Sequence, residues 1–571
     1  MLDTVDPFAT PAVRHWEKAG TLLANALGLY LDHCTLLGKS SLNENMQPKE
    51  LALRIDSALC SLHTLLDQQM AQARSILCKT RNEILSPATR LPEEVLAEIC
   101  TYVVFSDQAS DNSAVATMED SVIGIYRSLH SLLGVCSVWR NAALVRGEFW
   151  SITPVLEYPF PAPQLKRAVE LSLERAGSRE LHLAGVLSPY RSHNLDILEK
   201  HTSRFRTVNI ISESHDAIRH MIGVFLASST PVLLSELSIY QKQAASFHPR
   251  SSCDFRELYL VHPDTDDPIF EFYDLLSSLS ILRLNGAHIN LSMLPSDQLT
   301  VLRLQALNLG YDHEMLSTLN CILSSATGLR ELEIVSIRTF PNSGWPLEGS
   351  YVASQAITIP SLQTLLIQDL HFNTMTYLLI GITSRSHHMT LNLTENYRRY
   401  NDAEDEHSGV PDLTILYGIL KRTSVHTLCI DHTVWSPSSE IRDLLKSMPL
   451  LETLRIDQQQ LYTQECNAIQ RPGSRKSQRS FPHLVNLHLS RIKIWDKEAF
   501  KKMVASYSSS LKGVVLGAMV CDNQKAQRLT WAPLGENEEI VTWLRDNVAD
   551  FKLADHEYQP PEFQQDQWRL W

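Results

Sequence analysis

Leu279-Ser280-Ile281-Leu282-Arg283-Leu284 and, twenty residues further on, Leu299-Thr300-Val301-Leu302-Arg303-Leu304 are two copies of one pattern: apolar, two residues, apolar, one residue, apolar. The pattern recurs at Leu234–Ile239, Phe255–Leu260, Leu329–Ile334, Leu362–Ile367, Val425–Ile430, Leu451–Ile456, Leu484–Leu489 and Leu511–Leu516. Weaker copies surround Leu181, Val208 and Leu391. Taking the second apolar position of each copy, the register runs 181, 208, 237, 258, 282, 302, 332, 365, 391, 428, 454, 487 and 514, at intervals of 20 to 37 residues. The last two apolar residues of a copy point the same way along a short strand, because strand side chains alternate. Helix-like stretches lie between them, such as Met315–Leu323, Thr374–Ile380, Leu413–Leu420, Ile441–Leu445 and Glu498–Tyr507.

Strand and helix alternating at this period predict an α/β solenoid, an irregular leucine-rich-repeat horseshoe, over residues 165–550. The alternative is a doubly wound α/β domain, against which thirteen successive copies argue. Where regular repeats carry Asn or Cys at the ninth position, this chain has Leu307, Ile337, Leu370 and Ile492, so its turns need some other support than an asparagine ladder. The residue between the two inward leucines faces the concave side. His182, Asn392 and a candidate substrate face of Tyr259, Arg283, Arg303, Glu333 and Arg455 fall in that class. Arg283 and Arg303 are expected as a small basic spot suited to carboxylate or phosphate; the plainer reading is solvated strand residues.

Upstream, an apolar stretch of helical length runs from Leu22 to Leu37. After Pro48 a stripe at Leu51, Ile55, Ala58, Leu62 and Leu65 continues more weakly to Ile76 and Leu85, with helical spacing. Gln69 and Gln72 interrupt the heptad, so residues 1–86 read as a helical hairpin, with a dimerisation element as the alternative. Ser86-Pro87 ends that helix. The next segment, Thr89-Arg90-Leu91-Pro92-Glu93-Glu94-Val95-Leu96-Ala97-Glu98-Ile99-Cys100, starts another. Proline suits its first position, and Glu93 and Glu94 favour the positive end of the helix dipole. A polar stretch, Ser106–Asp120, is expected as a loop. A further helix is expected over Leu129–Ala143, with Leu132, Val135, Trp139 and Ala142 on one face, and Phe149-Trp150 closes the segment.

Leu-Pro-x-Glu-Val-Leu, then Val-Cys-x-x-Trp-Arg, then Phe-Trp resembles an F-box over residues 87–152, with the entry Ile84-Leu85-Ser86-Pro87 found in mushroom-type fungal F-box proteins. The spacing between the two halves is longer than usual. The resemblance implies that Leu91, Pro92, Val95, Leu96, Ile99, Val135, Cys136, Trp139 and Arg140 dock on a Skp-family adaptor of a cullin–RING ligase. The solenoid would then hold a protein substrate, making the chain a substrate-recognition subunit of an SCF-type ubiquitin ligase. The alternative is a leucine-rich-repeat scaffold outside any ligase.

A net charge of −13 argues against a broad nucleic-acid or anionic-membrane footprint. The ten cysteines contain no C-x-x-C pair and read as thiols of a reducing compartment. With no signal peptide and no apolar stretch of spanning length, the expected location is the cytoplasm, the nucleus or both. No nucleotide, zinc-protease or nucleophile-elbow motif occurs, and His387-His388 lacks metal-ligand spacing. No cofactor, metal or catalytic residue is therefore expected. Asn401–Gly409 is read as an acidic surface loop and Cys466–Ser480 as a basic one. Residues 551–571 read as a tail or cap, with Trp568 and Trp571 apolar enough to dock on the last repeat.

Overall fold

Each copy of the apolar pattern that forms a strand takes the next place in one sheet. The computed structural model describes residues 10–40, 47–85, 91–105, 116–156, 162–188, 196–227, 234–242, 259–261, 269–341, 357–382, 387–401, 410–434, 438–473, 481–522, 530–564 and 568. The chain divides into two units, Met1–Pro92 and Glu93–Trp571.

In the second unit the strands are β1 (Ile152–Leu156), β2 (Leu181–Leu187), β3 (Phe205–Ser212), β4 (Glu236–Gln241), β5 (Ile281–Asn285), β6 (Val301–Gln305), β7 (Asn308–Tyr311), β8 (Glu331–Val335), β9 (Arg338–Phe340), β10 (Thr364–Gln368), β11 (His388–Leu393), β12 (Val425–Ile430), β13 (Thr453–Asp457), β14 (Gln460–Leu461), β15 (Asn486–Ile494), β16 (Gly513–Asp522), β17 (Thr530–Pro533) and β18 (Asp550–Leu553). The large sheet runs β1-β2-β3-β4-β5-β6-β8-β10-β11-β12-β13-β15-β16-β17, with β14 beside β15 and β18 beside β16. All its pairings are parallel except β16–β17. β7 and β9 form a small parallel pair of their own. Helices such as His215–Leu226, Asp312–Ser325, Phe372–Gly381 and Lys497–Ala505 make the crossovers. A doubly wound sheet reverses its strand order at a switch point; here spatial order follows chain order from β1 to β16, so the second unit is an α/β solenoid.

The register follows the leucines. Leu237, Leu282, Leu302, Leu332 and Leu365 are Cα partners across successive strands, and each is almost fully buried. Three expected positions move. Leu183, not Leu181, pairs with Val208, so Ala184 lies beside Asn209 and His182 beside Thr207. Leu365 pairs with Met389, whereas Leu391 pairs with Leu428, because a bulge after Met389 shifts the register. β4 pairs directly with β5, so the copy at Phe255–Leu260 adds no strand between them. Phe255–Leu258 lie outside the described residues, and Tyr259 forms an isolated bridge to His288. The sheet itself runs from Ile152 to Leu553.

The missing asparagine ladder has a backbone substitute. Two residues past the third apolar position the chain turns left-handed: Gly286 (φ 69°), Ala306 (51°), Ser336 (49°), Asp369 (53°), Gln458 (54°) and Arg491 (51°). The N–H of the turn residue donates to the end of the neighbouring strand, as in Gly286 to Gln305 O (2.9 Å), Ala306 to Val335 O (3.0 Å) and Ser336 to Gln368 O (2.9 Å). Five of the six are not glycine and bear a steric cost of roughly 1–2 kcal/mol each. The turn sends the next side chain inward, and Leu307, Ile337, Leu370 and Ile492 are buried there.

Helices α1 (Pro11–Ser40), α2 (Pro48–Ala58) and α3 (Thr64–Leu85) make the first unit, with a π-helical turn, Leu59–His63, joining α2 to α3. The Tyr30 hydroxyl lies 3.3 Å from His63 Nε2 with the rings 5.9 Å apart, which places α1 beside the following helix as a hairpin. No residue of α3 is buried.

At the start of the second unit, α4 (Glu93–Phe105), α5 (Met118–Val135) and α6 (Ser137–Val145) precede a 3-10 turn at Gly147–Trp150. The helix expected over Leu129–Ala143 is two helices. Cys136 is extended (φ −162°, ψ 175°) and separates α5 from α6. Leu132 and Ala142 are buried, but Val135 is exposed, so the expected common face is broken at the junction. Of the expected loop, 106–115 lies outside the described residues, and Thr117 Oγ1 caps α5 by accepting from Asp120 N. One apolar core runs from Cys100 and Val104 of α4 through the leucine rows to Val548.

Candidate protein-interaction faces

Helix α4 is apolar on two sides. Leu96, Ala97, Cys100 and Val104 face the core, and burial pushes the Cys100 thiol up from its ordinary pKa. Val95, Tyr102, Val103 and Phe105 face outward, Tyr102 with 79% of its surface accessible. Ile99 is half-buried. Across the α5–α6 junction Val135 and Val145 are 58% and 75% exposed. Apolar side chains thus stand on both sides of α4, one set buried and one set exposed, which makes the exposed set a candidate interaction face.

The residues implied by the F-box resemblance separate on this basis. Val95, Val135 and Arg140 are exposed, Ile99, Cys136 and Trp139 are half-buried, and Leu96 is inside the core. Leu91 and Pro92 belong to the first unit, half-buried and exposed respectively. Leu96 therefore supports the face from below. Arg140 has a local task, since its Nε donates to Leu133 O (2.9 Å) at the end of α5, where a cation suits the helix dipole. Phe149 and Trp150 are buried; the Trp150 indole N–H donates to Ala143 O (2.9 Å) and Arg175 stacks over its ring (4.3 Å). Tyr102, Val103 and Val145 were not singled out by motif. The signal was present in the run Tyr102-Val103-Val104-Phe105, which is too apolar for a helix with one buried side.

The second face is the side of the sheet opposite the leucine rows. Arg283, Arg303 and Glu333 are Cα partners on β5, β6 and β8, so the structure brings these three together. They are not the basic spot expected. Arg283 pairs with Glu236 and lies 3.3 Å from Ser238 Oγ. Arg303 pairs with Glu333 (3.1 Å) and donates to Gln305 Oε1 (2.7 Å). Each guanidinium meets a carboxylate of an adjacent strand, which cancels the positive patch. Tyr259 stands apart, at its bridge to His288.

Arg455 and Asn392, on β13 and β11, are met by the C-terminal segment. Arg455 forms an ion pair with Glu562, and Asn392 Nδ2 donates to Glu562 O (3.0 Å). His488 beside them has its pKa pushed down to about 4, by burial first and by Arg455 second. The segment carries a 3-10 turn at Pro561–Phe563, tied by Gln559 Nε2 to Phe563 O (3.0 Å) and Gln564 Nε2 to Gln559 O (2.7 Å). Trp568 does not dock on the last repeat. Its indole N–H donates to Asn209 Oδ1 (2.5 Å) on β3, its ring lies 5.5 Å from that of Tyr240 on β4, and its carbonyl accepts from Met118 N (2.8 Å) on α5. The expected last repeat is replaced by β3, β4 and α5, so far from Trp568 in sequence that no local pattern marks them; Trp571 lies outside the described residues.

His388 stacks on His426 (4.8 Å) at the start of β11 and β12, where burial lowers the pKa of His388. Among the described residues no group of three or more His, Cys, Asp or Glu side chains is placed to hold a metal ion, and no helix is long and apolar enough to cross a membrane. Residues 402–409 and 474–480, in the expected acidic and basic loops, lie outside the described residues.

No family model matches the chain, and no curated protein does. Among solved structures it is similar to the leucine-rich repeat-containing protein LegL7 from Legionella pneumophila, with a TM-score of 0.32 and 13% identity over 63% of this chain and 98% of that one. It is also similar to a protein from Bacteroides fragilis, with a TM-score of 0.25 and 10% identity over 70% of this chain and 85% of that one. At these scores the assignment as a leucine-rich-repeat solenoid rests on the chain's own strand order and register.

Proposed function

We propose that this chain is the substrate-recognition subunit of an SCF-type ubiquitin ligase, in which α4–α6 bind a Skp-family adaptor, and through it a cullin–RING ligase, while the solenoid takes the target protein. The supporting observation is the outward apolar stripe Val95, Tyr102 and Val103 on α4, with Val135 also exposed at the α5–α6 junction, in the segment whose sequence resembles an F-box. The chain would supply proximity and no catalytic group: holding a target beside a charged conjugating enzyme raises the effective concentration of its lysines. Its place of action on this reading is the cytoplasm, the nucleus or both.

The test is binding of purified chain to a recombinant Skp-family adaptor, wild type beside Val95→Asp/Tyr102→Glu. Both side chains face water, so the variant should keep the wild-type unfolding midpoint while losing at least tenfold in affinity. A wild-type chain that binds no adaptor leaves the second reading, a leucine-rich-repeat scaffold outside any ligase.

A further inference from the structure

We propose that the C-terminal segment, Gln559–Gln564 with Trp568, is a built-in occupant of the open sheet face and competes there with a partner of similar chemistry. The inference rests on reading that face as protein-binding. Its two anchors are six residues apart in sequence. One is the Glu562 carboxylate on Arg455, with the Glu562 carbonyl on Asn392. The other is the Trp568 indole on Asn209 and Tyr240. β4 and β11, which carry Tyr240 and Asn392, are five places apart in the sheet.

The contacts are of the kind a peptide makes on a receptor: one carboxylate on one arginine, one backbone carbonyl on an asparagine amide, and one large aromatic anchor. They differ from the contacts that close the solenoid, where β18 adds to β16 by parallel backbone pairing. Tethering gives the segment an effective concentration of order millimolar, so contacts that are weak one by one suffice to hold it. A partner able to displace it is an extended protein segment with an acidic side chain and, farther along, an indole or phenol.

The experiment titrates a fluorescein-labelled peptide of residues 555–571 into the full-length chain and into full-length Glu562→Lys/Trp568→Ala. Hydrogen exchange of residues 559–564 is read on both. The expected result is saturable binding to the variant, at least tenfold tighter than to wild type, faster exchange of 559–564 in the variant, and loss of peptide binding when Arg455→Glu is added. Equal peptide affinity for the two proteins, no binding to the variant, or undiminished protection of 559–564 would each overturn the proposal. Adaptor binding is measured on the same preparations. Adaptor bound without peptide competition sinks the competitor alone; competition without adaptor sinks the ligase reading alone.

Discussion

Leu282, Leu302 and Leu332 lie in one row across three strands and none keeps measurable contact with water, while Val95, Tyr102 and Val103 follow one another along α4 with 42%, 79% and 42% of their surface open. Both groups are apolar side chains at regular spacing on regular elements. They differ in how far the described residues bury them. In the solenoid each repeat covers the one before, so burial is satisfied internally and the leucines report on stability. On α4 the inner side packs on α5 and α6 while Val95, Tyr102 and Val103 stay exposed, and in the proposed reading those side chains report on association.

That contrast can be broken most forcefully in the core. Leu302→Ala should destabilise the second unit by about 3–5 kcal/mol, seen as a lower urea midpoint. A loss under about 1 kcal/mol would mean that the row is looser than its burial implies. The α4 variant Val95→Asp/Tyr102→Glu should do the reverse, leaving the midpoint in place and reducing adaptor affinity tenfold or more. If the core variant alone lost adaptor, or the surface variant alone unfolded, the division between the two groups would be wrong.

A smaller effect tests the polar exception within the apolar interior. Asp312, at the start of the helix Asp312–Ser325, is fully buried and accepts from Thr339 Oγ1 and Asn373 Nδ2. Burial pushes its pKa up to about 6, against the opposing pull of those two hydrogen bonds. The folded-state pKa thus lies above the unfolded value of about 3.9. The folded chain keeps a proton that the unfolded chain has released, so this group favours folding fully below about pH 4 and the benefit is lost as pH rises to about 6. The change is on the order of 2–3 kcal/mol across that window. Asp312→Asn should flatten that part of the stability–pH curve; an unchanged slope would place the titration elsewhere.

The same contrast governs what the sequence made legible. Repetition exposed the solenoid, because thirteen copies of one pattern average out local noise, and twelve of the expected positions fall on strands of the large sheet with their apolar side chains inward. The register of β2 and β11 was not legible, since Leu181 and Leu183, or Met389 and Leu391, satisfy the same alternation and a two-residue slip keeps every side chain on its face. The α5–α6 break at Cys136 was hidden because the apolar spacing continues through it. The pairing of Arg283 with Glu236, and the C-terminal segment's anchors on Arg455 and Asn209, join residues 47, 107 and 359 positions apart. Contacts at such separations are set by the folded sheet and leave no local periodicity to read.

The smallest expected effect concerns the turns that replace the asparagine ladder. Gly286 and Ala306 occupy equivalent places after β5 and β6, both with positive φ and both donating N–H to the next strand. Only one of them carries a Cβ. Gly286→Ala should therefore destabilise by about 1 kcal/mol, as a side chain is forced into the left-handed region. Ala306→Gly should relieve that strain but also loosen the unfolded chain, leaving a net gain of at most about 1 kcal/mol. Opposite signs for the two substitutions, measured by denaturant unfolding, would establish the left-handed turn as the repeating device that sets each leucine of the next position inward. Equal losses at both would mean instead that packing around the turn, rather than its backbone conformation, fixes the spacing of the repeats.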